Sequence, residues 1–106
     1  MWRKEVAAAE EQYLNGYCHF WALDHFQPGD HIVCLIDSEG GELDLMDAIL
    51  VHCFLKRDNF YVDVRGSTEQ IKDILEGFEY GDTDQYSFSD IDEFKSLMHE
   101  MRIVMP

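Results

Sequence analysis

The chain has 106 residues, 46% hydrophobic and 13% aromatic, a composition that fits one globular domain over residues 1–106 and argues against disorder. Twenty-two acids against eight bases give a formal charge of −14, which disfavours direct binding to nucleic acid or an anionic membrane because phosphate repels such a surface. No apolar run reaches the ~20 residues of a membrane span, the start "MWRKEVAAAEEQ" lacks the apolar core of a signal peptide, and three cysteines without a CxxC pair indicate neither a disulfide framework nor a zinc knuckle, so the expectation is a cytoplasmic protein without cofactor.

Val6, Tyr13, Leu14 and Tyr17 predict an amphipathic helix over about residues 2–14. Asn15-Gly16 ends it, with Gly16 as the residue after the C-cap. A second helix runs from Tyr17 to Phe26 and stops before the turn signal Gln27-Pro28-Gly29. "HIVCLID" (31–37) reads as a strand and "SEGGE" (38–42) as a loop. "AILVHCFL" (48–55) and "NFYVDV" (59–64) read as strands joined around "KRDN". Ser67 with Gln70 forms a capping box for a helix carrying Ile71, Ile74, Leu75 and Phe78. Ser89 caps a last helix with the stripe Ile91, Phe94, Met98 and Met101. The order α-α-β-β-β-α-α is an α+β class with a small antiparallel sheet of about three strands.

The charge is unevenly spread. From Glu5 to Leu55 there are ten acids and no Lys or Arg, and from Glu76 to Glu93 seven acids and no base. Solvation is the simplest role for such stretches. A basic protein partner is also compatible with them.

Cysteine at a helix start is a candidate nucleophile, since the dipole favours its thiolate, whereas the surrounding acids push its pKa the other way. Placing Arg57-Asp58 at the hairpin tip sets Leu55 opposite Phe60, Cys53 opposite Val62, and His52 opposite Asp63. Directly opposed residues have Cβ atoms about 4.5–5.5 Å apart, close enough for a carboxylate to hold an imidazole in one tautomer. Cys18, His52 and Asp63 then read as nucleophile, base and orienter, and the Cys18 backbone N–H is a natural oxyanion donor.

This pattern, Cys at a helix N-terminus followed by His and Asp on successive strands, resembles the papain-like superfamily of cysteine enzymes. That superfamily includes cell-wall amidase-type peptidases and transglutaminase-like proteins. "NGYCHFWAL" (15–23), "LVHCFL" (50–55) and "FYVDVRG" (60–66) carry the resemblance and span about half the chain. It implies a papain-like or transglutaminase-like core and a hydrolase or acyltransferase acting on an amide or thioester carbonyl of a peptide or small substrate. It also implies Cys18 as nucleophile, His52 as general base, Asp63 as orienter and Gln12, six residues before Cys18, in the oxyanion hole. Tyr17, His19 and Trp21 are the candidate substrate-contacting residues.

Other readings stand beside these. Cys18 is equally well a core residue, as Cys34 and Cys53 are expected to be. Phe20, Trp21 and Phe26 fit core packing, and Asp63 fits an ion pair with Arg65, two residues along the same strand face. Zinc on Cys18, His19, His52 and Asp63 matches no zinc spacing. His25 lies about two turns from Cys18, too far to serve as its base, and His31 and His99 have no evident partner. The alternative function is a non-enzymatic acidic protein docking on a basic partner, for example a phage-encoded nucleic-acid mimic.

Overall fold

The structure, a computed structural model, describes residues 2–3, 5–14, 16–37, 48–78 and 83–103. The "SEGGE" loop, Asn15 and Asp82 lie outside the described residues. The class is α+β, and the antiparallel sheet has five strands rather than three. They are β1 (His31–Asp37), β2 (Ile49–Arg57), β3 (Phe60–Asp63), β4 (Gly66–Thr68) and β5 (Thr83–Phe88), in the spatial order β4-β3-β2-β1-β5. Around the sheet stand α1 (Cys18–His25), α2 (Ile71–Leu75) and α3 (Ile91–Glu100), preceded by a 3-10 helix at Ala8–Leu14.

β1 is a continuous apolar run because both of its faces are covered. Successive side chains point to opposite faces. Ile32, Cys34 and Ile36 join Cys53, Leu55, Ala22 of α1 and Phe94, Leu97 and Met98 of α3 in one core. Val33 and Leu35 join Phe54 and Ile74 of α2 in the other, against which Trp2 and Phe78 pack. The sheet is thus the middle of three layers. A bulge interrupts the β1–β2 ladder, where Leu35 pairs with His52 and Ile36 with Leu50, leaving Val51 as the extra residue.

Four sequence expectations change. The helix expected over 2–14 is a 3-10 helix from Ala8 only, and Trp2 instead bridges to Gly66, extending the sheet beyond β4. The capping box at Ser67 does not form, because Gly66–Thr68 pairs with β3 as a strand. The short helix α2 then starts after Gln70, whose N–H is held by the Thr68 hydroxyl at 3.1 Å. The acidic segment, which the expected element order leaves between two helices, contributes β5, paired along the whole of Ile32–Asp37. α3 is capped by Asp90 rather than Ser89, its carboxylate accepting from Asp92 N–H at 2.8 Å.

The hairpin tip also moves. Arg57 pairs with Phe60 and Leu55 with Val62, so the turn is Asp58-Asn59, with Asp58 at φ 53°. Asp tolerates that left-handed conformation better than most residues. Continued by one pair, this register sets Asp63 opposite Phe54 rather than His52. The register moved by two residues, and a two-residue slip returns each side chain to its own face. His52 and Asp63 therefore remain on one face, now as diagonal neighbours.

Candidate active site

Gly16, at φ 104°, turns the chain from the 3-10 helix into α1. The Tyr17 N–H donates to the Gln12 carbonyl at 3.1 Å, the closing bond of a Schellman motif with glycine in its expected place. The Tyr17 carbonyl then accepts from Phe20 and Trp21, so α1 begins at Cys18. The Cys18 N–H belongs to the first turn, where the helix supplies no acceptor.

His52 and Asp63 are 1% and 2% exposed, and His52 Nε2 lies 3.0 Å from Asp63 Oδ2. The Phe78 ring stacks on the imidazole at 4.1 Å and 7°, shielding that bond from water. His52 Nδ1, also buried, has no hydrogen-bond partner among the described residues. Burial pushes the His52 pKa down, yet its bond to Asp63 and the nearby Cys18 thiol outweigh this and leave it raised. Burial likewise works against the Asp63 carboxylate, and His52 and Arg65 overcome it, so its pKa is lowered.

Arg65 holds the carboxylate from the far side. Its backbone N–H reaches Oδ1 at 2.7 Å and its Nη2 reaches Oδ2 at 2.7 Å, while Nη2 and Nη1 also donate to the Ile74 and Glu76 carbonyls. The guanidinium lies 4.6 Å over the Trp2 ring. One carboxylate therefore bonds both His52 and Arg65, the two partners the sequence offered for Asp63.

The Cys18 thiol, 4% exposed, meets Cys53, His19 and His52. The Cys53 thiol contributes most to lowering its pKa. Burial opposes this, and His19 and His52 add to the lowering, so Cys18 is held well below the usual thiol range. These short-range partners outweigh the surrounding acids, which solvent screens. Cys53 shows the opposite behaviour: burial and its two thiol neighbours push it far up.

The remaining candidates are placed as follows. The Gln12 side chain is exposed and donates to the Ala9 carbonyl at 3.2 Å within its own turn. Tyr17 is half exposed, with its ring edge-on to Phe20. His19 is buried beside Cys18, also edge-on to Phe20. Trp21 packs against the core and stacks on His25 at 4.1 Å. A cavity of about 320 Å³, lined by Leu14, Gly16, Leu50, Val51, Gly77 and Phe78, lies on one side of Gly16. Another of about 480 Å³, lined by Gly16, Tyr17, His19, Phe20 and Ile103, lies on the other. Among the described residues no group of three or more His, Cys, Asp or Glu is placed to hold a metal ion, and no helix is long and apolar enough to cross a membrane.

Sequence reasoning offered the Asp63–Arg65 ion pair only as an alternative to the His52 bond, and it missed Cys53 as a neighbour of Cys18. Arg65 had a signal, since Asp63-x-Arg65 puts opposite charges on one strand face. Cys53 had none, because nothing local connects it to Cys18. Compared with family models, curated proteins and solved structures, the chain matches none of them.

Proposed function

We propose that this protein is a small cytoplasmic cysteine hydrolase or acyltransferase of papain-like type, acting on an amide or thioester carbonyl. The observation that carries the proposal is the buried His52–Asp63 bond with Cys18 at the same imidazole. In this reading the Cys18 sulfur attacks the carbonyl carbon, and the Cys18 backbone N–H stabilises the resulting oxyanion. His52, charged by the proton it shares with the thiol, protonates the leaving amine or thiol. It then removes a proton from water or an acceptor that attacks the thioester and frees Cys18. Asp63 fixes the ring through Nε2, which leaves Nδ1 for the reacting side, and Arg65 keeps Asp63 ionised.

The thiol lines neither cavity, so a substrate carbonyl reaches it by displacing the Gly16-Tyr17 wall between them. A side chain at Gly16 would point into open space, with nothing within 4 Å of its Cβ. Iodoacetamide at neutral pH tests the nucleophile without a known substrate. Cys18 is expected to be alkylated faster than Cys34 or Cys53, and His52→Ala to slow it. An activated thioester is expected to leave its acyl group on Cys18, read by intact mass. Equal, slow labelling of all three cysteines would refute the proposal.

One observation favours a basic protein partner as a second reading. Arg57 and Arg65 are tied up internally by Asp30 and Asp63, whereas Asp84, Asp90, Asp92 and Glu93 stand exposed on β5 and at the start of α3. A pull-down repeated with these four acids neutralised tests it, and unchanged partners at equal yield would remove it.

A further inference from the structure

The chain's three cysteines, far apart in sequence, meet in one buried cluster, and acyl transfer uses only Cys18. Cys34 and Cys53 are direct cross-strand partners on β1 and β2, with their sulfurs 3.5 Å apart. Directly paired antiparallel residues have Cα atoms about 4.5–5.5 Å apart, within the reach of a disulfide. Cys18 lies in the same buried cluster as Cys53, its helix packs on β2, and each of the two thiols shifts the other's pKa. Cys53 is therefore the central sulfur of three.

We propose that this cluster is an oxidation site for hydroperoxides, in which Cys18 is oxidised and Cys53 resolves it as an intramolecular disulfide. The Cys18 thiolate sulfur attacks the terminal peroxide oxygen and the O–O bond breaks. The peroxide is reduced to hydroxide or alkoxide, which takes a proton from water, and Cys18 becomes a sulfenic acid. The Cys53 sulfur then attacks the Cys18 sulfur. The S–O bond breaks, and the hydroxyl leaves as water with the Cys53 proton. An external dithiol restores both thiols by two exchange steps and is itself oxidised to a disulfide.

Two features fit these roles. The low pKa of Cys18 gives the attacking thiolate, and Cys53 shares its buried cluster, so the resolving sulfur is at hand and its proton passes to the departing hydroxyl as the S–S bond forms. The burial of all three sulfurs admits a small neutral peroxide more readily than a bulky oxidant. Resolution by Cys53 also protects Cys18 from irreversible over-oxidation. The proposal shares only a reactive Cys18 with the acyl-transfer reading.

The test treats the reduced protein with equimolar hydrogen peroxide at neutral pH, then alkylates and digests it on the N-terminal side of aspartate. Asp24, Asp30, Asp37 and Asp47 put the three cysteines on separate peptides. The expected product has lost two hydrogens, links the Cys18 and Cys53 peptides, and returns to starting mass with dithiothreitol. Cys53→Ser keeps a hydrogen-bond donor beside Cys18 but cannot form the link. It should still alkylate at Cys18 and, under a several-fold excess of peroxide, should gain two or three oxygens there. Cys34→Ser should form the link as wild type does. Linkage of Cys34 to Cys53 alone, or over-oxidation of wild-type Cys18 without any link, overturns the proposal while leaving acyl transfer standing. A Cys18 that resists both peroxide and iodoacetamide overturns both.

Discussion

Replacing Asp63 with Asn removes one charge from the most buried ion pair among the described residues while leaving the side-chain volume almost unchanged. The carboxylate accepts from His52 and from three nitrogens of Arg65, and both partners are at most 5% exposed. At 2.7 Å and an effective dielectric of about 20, the gross attraction of the Arg65–Asp63 pair is on the order of 6 kcal/mol. Much of this offsets the desolvation of both groups, so the pair adds little net stability relative to an apolar pair. Asn cancels the attraction and leaves Arg65 buried without a counter-charge. Breaking a buried pair in this way costs about 3–5 kcal/mol. A domain of this length holds about 5–15 kcal/mol in total, so the variant should sit near the edge of folding. Urea unfolding at pH 7, followed by tryptophan fluorescence, measures the loss. The double variant Asp63→Asn/Arg65→Met, which removes both charges, should recover part of it. A loss below about 1 kcal/mol, or a double variant no better than the single, would refute the reasoning. The sign with pH follows from the depressed Asp63 pKa. Its contribution is present above the unfolded value of about 3.9 and lost as pH falls through the folded value, so wild type and variant should converge in acid. His52, with its pKa raised, behaves oppositely: its contribution is complete below about 6.5 and lost as pH rises through its folded value.

Three further outcomes are expected. Because the Cys18 pKa is lowered, its alkylation rate should stay flat from neutral pH to about pH 9, where an ordinary thiol accelerates about tenfold per unit until it ionises; stopped-flow alkylation decides, and a climbing rate contradicts the thiolate. Asp30→Asn should destabilise by about 1–3 kcal/mol in urea, because Asp30 is 3% exposed and accepts from Arg57 and from Gln27 N–H, joining the end of α1 to β2; a loss under 0.5 kcal/mol, an order-of-magnitude limit, would make that link ornamental. Asp82→Asn/Asp84→Asn should leave the melting temperature nearly unchanged, since Asp84 is exposed on β5 and surface changes stay within about 0.5 kcal/mol; a shift of several degrees in a thermal melt would show a structural role.

The sequence by itself determined the elements whose local signal and tertiary fate agree. "HIVCLID" is strand β1 over the expected residues, α1 runs within the expected 17–26 and ends before Gln27-Pro28-Gly29, and Gly16 closes the helix before it. It also determined that His52 and Asp63 share a face, because side-chain direction in a strand has period two and survives the two-residue error in register. The structure alone decided the strands at Gly66–Thr68 and Thr83–Phe88, which are short or polar. They become strands because β3 and β1 offer them unpaired edges, a long-range condition that no local window contains. The meeting of Cys18, Cys34 and Cys53 has the same origin. Cys34 and Cys53 meet through the β1–β2 register, and Cys18 joins them because α1 covers that face of β2. The sequence supplies a thiol, an imidazole and a carboxylate. Their pKa values depend in large part on neighbours 11 to 35 residues away in the chain, which only the packed sheet brings together.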